Sequence, residues 1–329
     1  MKHLVLPGLL LIEIAVFAPF CGVDFSSLQS LLDSGPGFLD NLLTQSTPLI
    51  ILAGGMTIVL MTAGIDLSVG SLVALVACVM STFAAGNSFW YLAVPLSLIL
   101  GISLGLFNGV LIGRLDVPPI IATLGSLFFF RGLCQVVIGD RENAPFFDIP
   151  GYSWFGTWPG SLAMIAIVFG IGGCYFHNSA WRRELLMIGG NKVAARYAGI
   201  PVTRRLCEVY ALMGLLGFLA AVCFTARNGS IKASSLEGLE LQVIVATVLG
   251  GTRVNGGAGN LTGSLMGVLI IAVLGEGLRG LAFWAPAGFP FKISHCEYVL
   301  MGCLLILSVW LHDRSPLVFR QLQPASKSP

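Results

Sequence analysis

The sequence is a succession of apolar runs, each about as long as the ~20 residues that carry a helix across a bilayer. Ten are read, at roughly 4–20, 48–64, 67–86, 90–112, 118–138, 159–177, 207–226, 238–253, 259–283 and 295–312. Hydrophobic residues make up 56% of the chain and charged residues 10%, against about 25% charged in a soluble domain. The expected fold is an all-α polytopic membrane protein of about ten transmembrane helices. Every polar gap is shorter than the ~50 residues a separate domain needs. Residues 1–329 therefore read as one transmembrane domain, with a cytoplasmic tail at 313–329. The first run follows Met1-Lys2-His3, and Ala18-Pro-Phe-Cys21 lacks the small residue that precedes a cleavage site, so a retained anchor is expected.

Several classes are disfavoured. A net charge of +2 gives no reason to expect nucleic acid. The eight cysteines form no C-x-x-C and read as small buried hydrophobes. No H-E-x-x-H occurs, so no metal site is expected. No nucleophile–base set points to a catalytic residue.

The long polar interruption is Ala180–Arg205. It holds Arg182, Arg183, Lys192, Arg196, Arg204 and Arg205, six of the eighteen basic residues, with one acid, Glu184. Positive loops stay in the cytoplasm. With this loop inside, ten spans put both termini inside as well. Lys2, Arg114, Arg253, Arg314, Arg320 and Lys327 then join the six, while Arg141, Arg227, Lys232 and Lys292 lie outside. Within the loop, Asn191 is suited to cap a helix over Lys192–Ala198. Gly199 can end it in a left-handed turn, Ile200 can fold back, and Pro201 prevents continuation. Val193, Tyr197 and Ile200 share one side, with Lys192 and Arg196 on the flank. Such a helix can dock on another protein or lie on lipid headgroups; its shape alone does not decide.

Two internal echoes follow. Gly64-Ile-Asp-Leu-Ser-Val69 matches Gly238-Leu-Glu-Leu-Gln-Val243, and Gly105–Ile112 matches Gly263–Ile270. Both pairs lie five spans apart, which predicts an inverted repeat of spans 2–5 and 7–10 with a pathway between the halves. Ionisable residues in apolar spans cost at least ~2.5 kcal/mol and usually face a bundle interior or water. Asp66, Arg131, Glu240, Glu276 and Arg279 are in this class. Asp66 and Glu240 read as helix-capping carboxylates ahead of solute contacts. Arg131 reads as a partner for a carbonyl or an acid. Glu276 and Arg279, at i and i+3, read as a mutual pair ahead of a pathway lining.

The chain resembles the membrane permeases of bacterial ABC importers for ribose and related monosaccharides, from about Asn41 to Leu311. The stretches that carry the likeness are Gly55–Ser71 (GMTIVLMTAGIDLSVGS), Pro118–Gly125 with Arg131-Gly132, Gly189–Ile200, and Glu240–Thr252 with Gly256–Gly259. The resemblance implies a type II-like importer permease in the bacterial inner membrane, with Ala180–Arg205 as its coupling loop. Gly190, Asn191, Lys192, Val193, Ala194, Arg196, Tyr197, Gly199 and Ile200 would meet a separate ATPase. A second permease subunit, identical or related, and a periplasmic solute-binding protein would complete the assembly. Candidate pathway or structural polar residues are Asp66, Ser68, Asn108, Arg131, Glu240, Glu276 and Arg279. The chain departs from the family pattern at Glu276, where an Asn is expected, and at Gln242, where an Asp or similar residue is usual. These departures leave the permease assignment standing and the solute open.

No G-x-x-x-x-G-K-[ST] phosphate loop occurs, so ATP and Mg are expected on the partner and no cofactor on this chain. The alternative is an ion-coupled secondary transporter of a small polar solute, with Glu276 as its titrating group. A membrane-embedded enzyme ranks last.

Overall fold

The computed structural model describes residues 2–23, 28–84, 90–146, 149–283, 299–304 and 306. Its helices follow the apolar runs. In chain order they are α1 (Lys2–Phe17), α2 (Leu28–Met61), α3 (Val69–Ala84), α4 (Trp90–Gly113), α5 (Pro119–Ile138), α6 (Trp158–Ile165), α7 (Gly173–His177), α8 (Ala180–Gly190), α9 (Lys192–Tyr197), α10 (Val202–Asn228), α11 (Leu239–Leu249) and α12 (Leu261–Phe283). A π-helical segment, Ala166–Gly172, joins α6 to α7. Among the described residues there is no strand beyond one bridge between Asn143 and Ile231.

Five helices are long and apolar enough to cross a bilayer: Gly37–Met61, Tyr91–Gly113, Pro119–Ile138, Val202–Asn228 and Leu261–Ala282. Four further apolar helices are shorter: Leu6–Cys21, Val69–Ala84, Trp158–Gly170 and Leu239–Leu249. The run expected at 295–312 lies outside the described residues, apart from 299–304 and 306, and so does the tail at 313–329.

Two boundaries differ from expectation. The second run was expected from residue 48, but α2 begins at Leu28 and carries through Pro48. Nearby, Thr44 Oγ1 donates to Asp40 O and Thr47 Oγ1 to Leu43 O, each at 2.7 Å. The eighth run was expected over 238–253. Its helix α11 has 11 residues and rises roughly 17 Å, against the ~30 Å of a hydrocarbon core.

α10 is the axis of the bundle, and α4 packs along it through glycines. A Cβ at Gly101 would lie 2.8 Å from Gly214 O, at Gly109 2.8 Å from Cys207 Cα, and at Gly113 3.0 Å from Thr203 O. At Gly105 it would run into Tyr210 O. These four glycines recur every four residues, on one helix face, so the two backbones can touch. In lipid, where apolar burial gives little drive between helices, such close packing supplies the attraction.

α3 and α11 start together inside the bundle. Residues 62–68 lead from the end of α2 into α3, and residues 229–238 lead from the far end of α10 into α11. Their first turns meet: a Cβ on Gly70 would collide with Glu240 and would lie 2.8 Å from Leu236 O. Leu72 and Val73, one turn on, pack against Gly217 near the middle of α10. Two helix N-termini therefore lie back to back about half way along the bundle axis.

Candidate functional site

The basic end of the bundle carries α8 and α9. Ser179 caps α8 by accepting the Arg182 N–H at 3.1 Å. Asn191 Oδ1 caps α9, accepting the N–H groups of Val193 (3.0 Å) and Ala194 (2.9 Å). Gly199 takes φ +80°, and the Ile200 N–H returns to Ala195 O at 3.1 Å. A positive φ is strained for a residue with a Cβ, so the stop falls on glycine. α9 is thus a short rod fixed at both ends, from Lys192 to Tyr197, one residue shorter than expected.

This element touches the connections around it. Gly189 sits so close to Met61 O and Gly257 N that a Cβ cannot fit, which seats α8 on the end of α2 and on the α11–α12 loop. Arg205 Nε donates to Glu184 Oε2 at 2.6 Å and Arg205 Nη1 to Glu208 Oε2 at 2.8 Å. Trp181 Nε1 donates to the same Glu208 oxygen at 2.9 Å, so α8 is tied to the start of α10.

Lys192 and Arg196, on the flank of α9, each have a partner. Both turn onto Asp116 in the α4–α5 turn, at 2.7 and 3.3 Å. Sequence reading missed Asp116, because an isolated acid in a short loop carries no local signal of which cation it will meet. The outward surface of α9 is instead Tyr197, 89% exposed, and Val193, 60% exposed. Ala195 is buried beneath them, and Ile200 is half-buried.

A buried polar chain joins three helices deeper in the bundle. Asp66 Oδ1 accepts the Ser68 N–H at 2.9 Å and the Ser68 hydroxyl at 2.6 Å. Asn108 Nδ2 donates to Ser68 Oγ at 2.8 Å, and Ser126 Oγ donates to Asn108 Oδ1 at 2.5 Å. Asp66 thus organises the residue that begins α3, with the Leu72 N–H bonded to Ser68 O. Arg131 Nη1 donates to Ala233 O at 2.6 Å and Ser235 O at 2.8 Å, which pins the segment leading into α11. Glu240 lies in the first turn of α11 against Gly70, with Oε2 unpartnered.

Glu276 and Arg279 form the i, i+3 pair at 2.9 Å. They border a cavity of about 210 Å³ between α2, α10, α12 and the start of α11, with Arg227, Glu237 and Gln242 also on its wall. Glu276 and Arg279 therefore pair with each other and also face a polar space. Among the described residues, no three His, Cys, Asp or Glu side chains converge as metal ligands.

The profile of the family described as the branched-chain amino acid transport system / permease component matches residues 38–309. The ribose import permease RbsC of Escherichia coli (strain K12) is 37% identical over 288 residues, covering 84% of this chain and 85% of the relative. RbsC of Bacillus subtilis (strain 168) is 35% identical over 286 residues, covering 84% and 86%. The autoinducer 2 import system permease LsrD of Enterobacter sp. (strain 638) is 31% identical, covering 83% and 85%. No solved structure matches the chain. With a profile match over residues 38–309 and relatives aligned over more than four-fifths of both chains, the chain belongs to the ribose-type permease family of bacterial ABC importers and is a multi-pass protein of the inner membrane.

Proposed function

We propose that this chain is the transmembrane permease of an ATP-driven importer that moves a sugar or sugar-like small solute from periplasm to cytoplasm by alternating access. The observation that carries the reading is α9. It is capped at both ends and backed by the ends of α2, α4 and α10, and it presents Tyr197 and Val193 outward. A rigid rod with an exposed apolar face on the basic end is suited to receive force from a docked protein. That protein is a separate ATPase holding ATP and Mg, which takes Tyr197 and Val193 into a groove. The coupling residues are Gly190 to Ala194, Arg196, Tyr197, Gly199 and Ile200, with Lys192 and Arg196 acting inward through Asp116.

In this reading the chain has ten spans, and the basic end and both termini are cytoplasmic, by the positive-inside rule. Spans 2–5 and 7–10 are inverted halves. The meeting of α3 and α11, fed by segments from opposite ends, supports that symmetry and resembles the paired broken helices of transporters. A second permease copy or relative completes the pathway, and a periplasmic binding protein delivers the solute. The curated relatives named above are ribose and autoinducer 2 permeases, and a fructose import permease from Bifidobacterium longum is 33% identical over 253 residues. Together with the polar cavity, this supports a hydroxyl-rich cargo. Glu276, the carboxylate an ion-coupled carrier would use, is held by Arg279.

The test is reconstitution of this chain with its ATPase and binding protein in liposomes, with labelled D-ribose and D-fructose outside. Uptake that requires ATP and the binding protein is expected. Concentrative uptake by the chain without the ATPase, driven by a sodium or proton gradient, would overturn the reading.

A further inference from the structure

We propose that Asp116 is a positioning residue of the transport cycle, the point at which displacement of α9 enters the helices of the bundle. The proposal rests on the reading of α9 as the coupling helix.

Asp116 lies in the turn between α4 and α5 and makes ion pairs with both cations of α9, Lys192 at 2.7 Å and Arg196 at 3.3 Å. These pairs bridge a gap that side chains do not fill. Beneath them lies a cavity of about 370 Å³ walled by Ile112, Val117, Pro118, Ile188, Leu206 and Tyr210. Across this cavity, the charged bridge is the side-chain link from α9 to the turn.

The turn is built to pass on a displacement of α9. Asp116 holds φ +51°, a left-handed conformation that Asp and Asn tolerate better than most residues. After Val117, Pro118 and Pro119 fix their own φ angles, which stiffens the entry to α5. Both helices leaving the turn are bonded to the segment that starts α3. Asn108 of α4 donates to Ser68, and Thr123 of α5 donates to Ile65 O at 3.1 Å. Ser126 of α5 closes the circuit onto Asn108. Displacement of the turn therefore moves α4 and α5 against the start of α3.

The Lys192 ammonium, through its hydrogen bond and its charge, and then the Arg196 guanidinium hold the Asp116 carboxyl below the usual carboxylate range. A depressed folded-state value means the tie is present at neutral pH. It is lost only as pH falls through that lowered value. Exposed ion pairs contribute little to stability, so removing this one tests transmission rather than folding.

The experiment uses the reconstituted complex of chain, ATPase and binding protein loaded with D-ribose. Asp116→Asn keeps the left-handed backbone accessible and removes the charge. ATPase co-purification is expected at the wild-type ratio, while ribose-stimulated ATP hydrolysis falls about fivefold, at the low end of coupling effects. Asp116→Lys should lose stimulation likewise, and Asp116→Lys combined with Lys192→Glu should raise it at least about twofold above Asp116→Lys alone, the low end of coupling between residues in contact. Undiminished stimulation in Asp116→Asn would overturn the proposal and leave the importer reading intact. Loss that the charge exchange does not recover, with assembly normal, would overturn it too. A wild-type chain that assembles with no ATPase would remove the importer reading, and this proposal with it.

Discussion

Asn191 decides where α9 begins. Its side chain takes two N–H groups that have no acceptor within the helix. Asn191→Ala should cost about 1 kcal/mol of local helix stability. Faster hydrogen exchange at the Val193 and Ala194 amides, with slow exchange retained in α10, would verify it. Caps of this kind are legible in sequence because donor and acceptor lie two or three residues apart. Asn191, Gly199 and Ile200 all act within one turn of where they stand. Arg131 shows the limit. Its need for a carbonyl follows from being charged in an apolar run, but the carbonyls it found, Ala233 and Ser235, lie about a hundred residues away and follow from the fold alone. Asp116 was invisible for the same reason.

At the scale of helices, apolar runs located the elements well and their ends poorly. α2 runs on through Pro48, where the local sequence alone predicts a break. α11 is short because residues 229–238 descend as non-helical chain, held by Arg131 and by the bridge to Asn143. Hydropathy cannot register that support. Glycine spacing was legible as a pattern, but its partner was not. Gly109→Val would set a side chain against the backbone of Cys207, which cannot rotate away. The expected cost is about 1–3 kcal/mol, read as a lower thermal midpoint for the detergent-solubilised chain. Gly125→Ala, on α5, is the contrasting case. A Cβ there meets nothing within 4 Å, so the midpoint should hold or rise. Equal losses in both variants would refute the close-packing account of α4 and α10.

For the molecule as a whole, orientation is the property to check first. A cysteine at Asn143 would keep the backbone bridge to Ile231 but lose the Asn143 Nδ2 bond to Ser81 Oγ. Arg141 is exposed nearby and is the better position. Arg141→Cys should react with a membrane-impermeant thiol reagent in intact spheroplasts, while Tyr197→Cys should react only after the membrane is opened. The reverse pattern would invert the topology and separate α9 from any cytoplasmic ATPase. By itself the sequence determined that this chain lives in a bilayer, that its basic loop marks one face, and that a capped helix sits in that loop. Each of these depends on residues close together in the chain or on composition summed along it. Tertiary structure alone decided that Lys192 and Arg196 meet Asp116 and that α3 and α11 start against each other across Gly70 and Glu240. Such contacts exist only once distant segments are brought together by packing, and no local period in the chain encodes them.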